Sequence, residues 1–501
     1  MQARLILNPA FSLATVDPRL YGGFAEHLGR CIYGGIYEPE HATADDMGFR
    51  TDVLALLKDL RMPTIRYPGG NFVSGYRWED GIGPKSARPR RLDTAWKSTE
   101  SNQFGTDEFC EWCRRLGTEP MLAVNLGTRG PEDAANLVEY CNHPGGSAWS
   151  DRRRANGWEK PHGVKLWCLG NEMDGAWQIG HKTADEYGRV ACEAAKLMKW
   201  IDPSIQLVAC GSSGRGMSSF GAWEATILDH TFDQVEYVSI HTYFGNPDGD
   251  TANFLAKPDL MSAFIEEVVA CCDYVSAKRR SPKRIMLSFD EWNVWYHSHG
   301  DRQKRQIKDW AVAPPILEDV YTMADALVAG GMLISLINHA DRVRIACLAQ
   351  IVNVIAAVMT EDRGSAWRQT IYWPLLHASN CGRGTVLRSL VECPSYSCRE
   401  VRQAPYLSAA TVLDPQTGTL SLFAVNRHLT EACELNAELQ GLGAFKTVAW
   451  TVLRDDDLKA ANSAAEPDRV APRAWTGATL SAGRLAAALP PASWNLLRLT
   501  P

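Results

Sequence analysis

Long apolar runs and strong positive charge are both missing from this chain of 501 residues. The longest mostly apolar segment, residues 326–337, is too short to cross a bilayer. The start, residues 1–16, lacks the apolar core of a signal peptide. Net charge is −6, and arginines cluster only in short stretches such as 87–91 and 151–154. The sequence therefore predicts a cytoplasmic protein with no membrane or nucleic-acid partner.

Cysteine pairs at zinc-site spacing are scarce as well. Many of the fourteen cysteines, for example Cys168 and Cys347, lie inside predicted strands or helices. Cys110 and Cys113 have CxxC spacing, but they lie in a helical pattern and no second pair follows at zinc-site distance. We therefore expect buried, reduced thiols, no metal and no other cofactor.

What the chain does contain, from residue 20 to about 375, is an alternation of short apolar runs with longer amphipathic ones. Parallel strands need helical crossovers, and eight such units close a sheet into a (β/α)8 TIM barrel. The eight runs that we predict as barrel strands are residues 20–27, 63–70, 120–127, 164–169, 205–213, 237–243, 284–292 and 331–341.

After about residue 380 the pattern changes to short alternating segments separated by Gly-, Pro- and Ala-rich turns. This pattern is typical of an all-β sandwich. The opening segment ARLILN has strand character and precedes the first barrel strand by more than ten residues, so we expect it to pair with the C-terminal sheet. The predicted division is an N-terminal strand in 1–16, a catalytic barrel in 17–375 and a sandwich in 376–501.

Polar side chains collect where the predicted barrel strands end, which is where a TIM barrel builds its active site. Glu172 closes the fourth strand and Glu291 closes the seventh, so the two carboxylates face each other across the rim. A pair of glutamates so placed, in a mouth with aromatic residues, is typical of a glycosidase. Arg66 and the hydroxyl of Tyr243 are expected to stabilise an ionised Glu291. That negative charge, and partial burial under Trp177, would help Glu172 to keep its proton.

Long ordered motifs run along the chain: GFAEHLGRCIYGGIYEP, IRYPGGNFVSGYRWEDGIGP, CLGNEMDG, IHTYFGN, LSFDEWNVWYH and RIACLAQIVNVIA. In these motifs the sequence resembles the α-L-arabinofuranosidases of glycoside hydrolase family 51 along essentially its whole length. The resemblance implies a (β/α)8 barrel with a C-terminal β-sandwich, retention of anomeric configuration, no metal, and commonly a hexamer in the intracellular members. It also implies an arabinose-containing oligosaccharide as the substrate.

Residue by residue, the resemblance implies that Glu172 is the general acid/base and Glu291 the nucleophile. His241 is a candidate to support the site from behind. The positions that match substrate-binding or pocket-wall residues are Glu26, Asn71, Trp96, Asn171, Tyr243, Trp295 and Gln350. Departures from the family pattern at Thr242, Phe244 and Asn338 leave the subsites around the pocket open.

Several residues have a second interpretation. Glu26 would also suit a carboxylate that only orients Arg66. Trp96 and Trp295 would also suit core packing, the usual role of tryptophan.

Two other functions compete with the glycosidase. A metal-dependent barrel hydrolase would need clustered His and Asp, and His297 and His299 are the only metal-like pair near the mouth. A non-catalytic sugar-binding protein would be expected to have lost one of the two glutamates. Within the family, β-xylosidase and endoglucanase activities stay open.

Overall fold

The computed structural model describes the backbone of residues 1–501 and the side chains of residues 1–301 and 303–501. Its centre is a closed barrel of eight parallel strands, in which each strand pairs with the next along the chain and the last pairs with the first. The barrel strands are β1 (Gly22–Phe24), β2 (Thr64–Tyr67), β3 (Glu119–Ala123), β4 (Leu166–Leu169), β5 (Gln206–Cys210), β6 (Tyr237–Phe244), β7 (Met286–Val294) and β8 (Val343–Ala349).

The helices cross over between these strands and cover the outside of the barrel. Their apolar faces bury Leu, Val and Ile against the strands, as amphipathic helices require. They are α1 (Thr51–Leu60), α2 (Thr106–Leu116), α3 (Pro131–Asn142), α4 (Ala148–Ala155), α5 (Ala184–Ile201), α6 (Ala222–Thr231), α7 (Thr251–Ala256), α8 (Pro258–Lys278), α9 (Asp301–Lys304), α10 (Met323–Asn338) and α11 (Tyr372–Cys381). Among the described residues, none of the helices combines the length and apolarity that a bilayer span requires.

The eighth predicted strand, residues 331–341, is wrong. Residues 331–338 lie in α10, residues 339–341 follow its end, and the eighth barrel strand is β8, further along the chain. A continuous apolar run does not distinguish a buried strand from a helix that is buried on all sides, and almost every residue of α10 is buried. The helix begins with a capping box in which Thr322 and Asp325 bond each other's backbone amides.

The C-terminal region forms two packed, mainly antiparallel sheets, as expected for a sandwich. The predicted pairing of the N-terminal segment is confirmed, because Gln2–Leu7 runs parallel to Cys433–Leu439. One sheet contains Leu390–Glu392, Gln2–Leu7, Cys433–Leu439, Arg484–Leu489 and Thr479–Ser481. The other contains Ser12–Thr15, Thr385–Leu387, Leu407–Leu413, Leu420–Asn426, Ser493–Thr500, Thr447–Leu453 and Arg473–Trp475.

Three short hairpins complete the strands. They are Arg91–Asp93 with Ser98–Glu100, Val358–Thr360 with Ala366–Arg368, and Ser395–Tyr396 with Ala404–Pro405. The first two lie in the loops that follow β2 and β8, at the end of the barrel where the candidate site lies.

One apolar cluster spans the outside of the barrel and one face of the sandwich, while the sandwich interior has a separate cluster of its own. Trp494 of the sandwich packs so closely on α10 that a Cβ added to Gly330 would lie 2.6 Å from its ring. Substitution of Gly330 by any larger residue would therefore force this interface apart. The domain boundaries predicted after residues 16 and 375 stay predictions, and the second of them falls within α11.

Candidate active site

Glu172 lies three residues beyond the end of β4, where that strand reaches the mouth of the barrel. Its backbone has φ of 43°, a left-handed conformation that costs a non-glycine residue about 1–2 kcal/mol. Such strain persists only where the surroundings impose it, and it collects at functional sites. The side chain is 9 % exposed and accepts a 2.6 Å hydrogen bond at Oε2 from the indole of Trp177. The carboxyl group is thus fixed in orientation at a boundary between protein and solvent.

Glu291 lies near the end of β7 and is 8 % exposed. Arg66 Nη1 donates to its Oε2 at 3.0 Å, and the hydroxyl of Tyr243 donates to its Oε1 at 2.8 Å. Both contacts match the sequence prediction. A cation and a hydrogen bond both favour the ionised carboxylate, so the geometry suits a nucleophile that must stay charged.

His241 joins the two glutamates from below. Its Nδ1 lies 2.9 Å from Glu172 Oε1 and 3.5 Å from Glu291 Oε2, while its Nε2 lies 3.0 Å from Asp290 Oδ1. Burial lowers the pKa of His241, but the charge of Glu291 and the hydrogen bonds to Asp290 and Glu172 raise it to about 10 overall. A protonated ring then donates from both nitrogens and holds Glu172 in place.

Asp290 was missed by sequence reasoning. Its carboxylate is fully buried and accepts from His241 and from the hydroxyl of Ser288. Burial raises the pKa of Asp290, but the charge of Arg66 and the hydrogen bond from His241 outweigh it and keep that pKa below its ordinary value. Strict alternation along β7 would point Asp290 and Glu291 to opposite faces. The pairing with β6 instead shifts register between Ser239 and His241, which gives β7 an extra residue there.

The two glutamates and His241 lie close together. One carboxylate oxygen of Glu172, one of Glu291 and one ring nitrogen of His241 are all within 4.8 Å of one another. Within the residues whose side chains are described, this is also the one His, Cys, Asp and Glu group with the spacing to hold a metal ion. His297, by contrast, pairs with Asp325, while His299 packs against the Trp295 ring. The proposed histidine pair does not converge on one point.

Glu26 follows β1 and forms the floor of the pocket beside Glu291. It accepts hydrogen bonds of 3.0 Å from the Phe72 amide, from Trp96 Nε1 and from Gln350 Nε2. Burial raises the pKa of Glu26 to about 8, with the Phe72 amide opposing the shift and the charge of Glu291 adding to it. Glu26 therefore stands beside Trp96 and Gln350, whereas Arg66 is directed to Glu291 and Asn171.

Asn71 and Asn171 stand on two sides of this floor. Asn71 is half-buried and follows Gly70, where a Cβ would lie 2.6 Å from Glu26 Oε2, so only glycine permits the close approach. Asn171 Oδ1 accepts from Arg66 Nη2 at 2.6 Å, and its Nδ2 donates to Gln178 at 3.2 Å. Gln178 is a second residue that sequence reasoning missed, since nothing in its local pattern separates it from an ordinary loop glutamine.

Trp295 closes the other side of the pocket. Its ring lies edge-on to Tyr243 with centroids 5.5 Å apart, and its amide donates to the Phe244 carbonyl at 2.8 Å. Phe244 therefore acts here through its backbone, and Thr242 beside it is half-buried. Asn338, which the sequence placed near a subsite, lies instead at the end of α10 and donates to the Ala409 carbonyl in the sandwich. The error follows from the misplaced eighth strand.

Comparisons with known proteins agree with this geometry. Residues 56–256 match the family model described as α-L-arabinofuranosidase 1 domain, and residues 290–493 match the model described as α-L-arabinofuranosidase C-terminal domain.

Two relatives are each 53% identical to the chain. One is named intracellular exo-α-(1→5)-L-arabinofuranosidase, from Halalkalibacterium halodurans, and the other is named intracellular exo-α-(1→5)-L-arabinofuranosidase 1, from Bacillus subtilis. The first match covers 100% of the chain and 99% of its relative, and the second covers 99% of each. A solved structure of a family 51 α-L-arabinofuranosidase from Bifidobacterium longum is 43% identical, covers 99% of both chains and has a TM-score of 0.94. Identity at this level over the whole length shows that the chain belongs to the α-L-arabinofuranosidases of glycoside hydrolase family 51, and that it is a glycoside hydrolase.

Proposed function

We propose that the protein is a retaining, exo-acting α-L-arabinofuranosidase that removes terminal arabinofuranosyl residues from arabinan- or arabinoxylan-derived oligosaccharides. One observation carries the retaining mechanism: carboxylate oxygens of Glu172 and Glu291 lie within 4.8 Å of each other. Retaining glycosidases hold their carboxyl groups about 5–5.5 Å apart, whereas inverting enzymes need about 6.5–9.5 Å to admit a water molecule. The names of the relatives support the sugar and the exo mode.

In the first step Glu291 attacks the anomeric carbon and the glycosidic bond breaks. The bonding electrons pass to the departing oxygen, which takes a proton from Glu172. Arg66 and Tyr243 each bond one oxygen of Glu291 and so hold it ionised and aimed. When the ester forms, the charge that Arg66 stabilised is lost, and Glu172 loses a neighbouring anion.

His241 positions the carboxyl group of Glu172. The ring lies 2.9 Å from Glu172 Oε1 and is anchored at its other nitrogen by the Asp290 carboxylate. The contact at Nδ1 therefore fixes the orientation of the carboxyl group that protonates the leaving group. In the second step Glu172 acts as the base: it takes a proton from water, and the hydroxide attacks the anomeric carbon and releases Glu291.

The remaining residues of the pocket are placed to bind the sugar. Glu26, held by Trp96 and Gln350, faces the pocket from the floor. Asn171 is held in place by Arg66, and its side-chain amide still has a hydrogen that can be donated to a hydroxyl group of the sugar. A hydrogen bond to the 2-hydroxyl that strengthens in the transition state contributes several kcal/mol, roughly the usual figure for these enzymes.

The proposal includes the cell compartment and the assembly. The relatives named above are called intracellular, and we propose the same for this protein. By resemblance the active form is a homo-oligomer, a hexamer of the 55.4 kDa chain.

Hydrolysis of three aryl glycosides tests the function. We expect turnover of the α-L-arabinofuranoside to exceed turnover of the β-D-xylopyranoside and β-D-glucopyranoside by at least about 100-fold, because the pocket discriminates in the transition state. Activity should be unchanged after dialysis against EDTA, since neither step needs a Lewis acid.

The alternatives have distinct outcomes in the same assay. If the xyloside or the glucoside is turned over faster than the arabinofuranoside, the protein is a β-xylosidase or an endoglucanase instead. Loss of activity in EDTA that a divalent ion restores would mean that the Glu172, His241 and Glu291 group holds a metal. No turnover of any glycoside would favour a sugar-binding protein.

A further inference from the structure

Two loops that carry tryptophans meet above the pocket. The first is the Trp96 hairpin, residues 91–100, in the loop after β2. The second is the strap, residues 305–318, in the connection between β7 and α10 downstream of Trp295. The two loops are far apart in sequence, so their contact is a tertiary feature that local sequence patterns do not predict.

Three hydrogen bonds, which we call the latch, join the hairpin to the strap. The Trp310 amide donates to the Lys97 carbonyl at 2.7 Å, and the Thr99 amide donates to the Ala311 carbonyl at 3.0 Å. The hydroxyl of Thr99 donates to the Trp310 carbonyl at 2.7 Å. Thr99 thus makes two of the three bonds. These bonds join the hairpin and the strap into one continuous wall above the pocket.

The backbone on both sides of the latch is strained. Lys97 has φ of 51° and Trp310 has φ of 65°, and within the strap Ala313 and Leu317 are left-handed as well, at 45° and 56°. Non-glycine residues keep such conformations only where surrounding contacts impose them. The latch supplies those contacts at Lys97 and Trp310, so loss of the latch would release the part of the strap around Trp310. The far end stays held, because the Ile355 amide donates to the Leu317 carbonyl at 2.7 Å and Ile316 is buried in the core.

The strap separates two spaces. On its inner side, Ile316 and Leu317 line a cavity of about 350 Å³ that Trp96 and Trp295 also line. On its outer side, Val312 and Pro315 line an open groove of about 1290 Å³. A single sugar ring fills only part of the groove. Residues of the strap line both spaces, so the strap is a wall between them.

The position of the latch in the barrel determines which end of the substrate it meets. The strands that precede the two loops, β7 and β2, flank β8 and β1 in the closed barrel. Glu172 follows β4, on the opposite side of that ring of strands. The leaving group must depart past the acid that protonates it. The latch therefore closes the side that faces away from the leaving group, where a further non-reducing sugar would have to extend.

We propose that the latch enforces the exo mode of cleavage, with Thr99 as the specificity-determining residue; this inference rests on the proposed arabinofuranosidase function. The latch keeps the strap across the pocket and leaves room for one terminal sugar. Opening it joins the pocket to the groove, so that a sugar with a second sugar attached at its non-reducing end can bind over Glu291. The chemistry at Glu172 and Glu291 stays the same, and only the bond that is chosen changes.

Two proline variants open the latch from opposite sides. Thr99→Pro removes the amide and the hydroxyl that Thr99 donates. Trp310→Pro removes the amide bonded to Lys97, and proline does not adopt the φ of 65° found there. Leu92→Pro is the matched control. Leu92 is 62% exposed and lies opposite Thr99 in the same hairpin. The two residues form a non-hydrogen-bonded pair of the antiparallel ladder, so the Leu92 amide points to the outer edge of the hairpin, away from the strap.

The probe is an aryl α-(1→5)-L-arabinofuranobioside, with sugars separated by chromatography at early conversion. Wild type and Leu92→Pro should release arabinose first. Each latch variant should release arabinobiose together with the aryl alcohol, with the arabinobiose-to-arabinose ratio raised at least about 10-fold, the lower end of what one steric contact in a pocket gives. The aryl monoside should still be hydrolysed by all four proteins.

The outcomes separate the two proposals. A wild type that hydrolyses neither compound contradicts the proposed function. An active wild type whose cooperatively folded latch variants release arabinose alone contradicts the exo role of the latch. If Thr99→Pro does not fold, Trp310→Pro decides, because it leaves the hairpin sequence intact. Loss of folding in both variants would assign the latch a structural role and overturn the inference.

Discussion

Glu291→Ala should lose turnover of every arabinofuranoside by a factor on the order of 10⁴–10⁶, the scale seen when an enzyme loses its nucleophile. Both hydrogen-bond donors, Arg66 and Tyr243, would stay in place around an empty space of carboxylate size. Azide should enter that space and attack an activated aryl arabinofuranoside from the face that Glu291 occupied. Because only one displacement then occurs, the product should be β-arabinofuranosyl azide, of inverted configuration.

The measurement is turnover of the aryl arabinofuranoside with and without azide, with the product identified by NMR. Glu159→Ala serves as the control and should keep wild-type activity. Glu159 is 72% exposed and is not one of the pocket residues. Substantial residual turnover in the Glu291→Ala protein without azide would show that another residue is the nucleophile.

Glu172→Ala should damage the two steps unequally. An activated aryl leaving group needs little protonation, so the glycosyl-enzyme should still form, while its hydrolysis slows because no base remains to activate water. The intermediate should accumulate and give a burst of aryl alcohol with a low apparent KM. Substrates with poor leaving groups, such as natural oligosaccharides, should lose a further factor of about 10²–10⁴ in kcat/KM, which is the usual worth of general acid catalysis.

Azide distinguishes this variant from the first one by stereochemistry. In the Glu172→Ala protein it should speed turnover by attacking the glycosyl-enzyme on the face that Glu172 vacated, and it should give α-arabinofuranosyl azide, of retained configuration. Equal losses for activated and unactivated substrates, together with no response to azide, would show that Glu172 only supports the site.

The sequence predicts the two glutamates more completely than it predicts the residues around them. Glu172 and Glu291 follow apolar strands inside long motifs, and the strand ends of a barrel converge in space. The contacts of Arg66 and Tyr243 with Glu291 follow from the same reasoning, because all three residues lie near barrel strand ends that converge on one mouth. These residues need only the strand order, which the alternation of elements predicts.

Asp290 and the eighth strand needed information that the local pattern does not contain. Asp290 reaches His241 because of a register shift between β6 and β7, and such a bulge has no residue signature here. The run at 331–341 is apolar on all sides, so its period does not separate strand from helix. The capping box of Thr322 and Asp325 was the available signal, since a Thr followed three residues later by an acidic residue predicts a helix start.

The latch lies beyond sequence reasoning for a different reason. Two of its bonds join backbone amides to backbone carbonyls, which every residue has, and the hairpin and the strap are more than two hundred residues apart. Even Thr99, whose side chain contributes, carries no motif. Contacts of this kind depend on how loops from distant strands fold over one rim, so they come only from the three-dimensional structure.

The central claim, that Glu291 forms a covalent glycosyl-enzyme, is tested most directly by trapping that species. A 2-deoxy-2-fluoro-arabinofuranosyl donor with an activated leaving group slows both steps, and the second step more than the first, so the intermediate persists long enough for peptide mapping by mass spectrometry. The account predicts one arabinosyl adduct per chain, located on Glu291 within the segment Met286–Val294. An adduct on Glu172, or no adduct together with a product of inverted configuration, would contradict it.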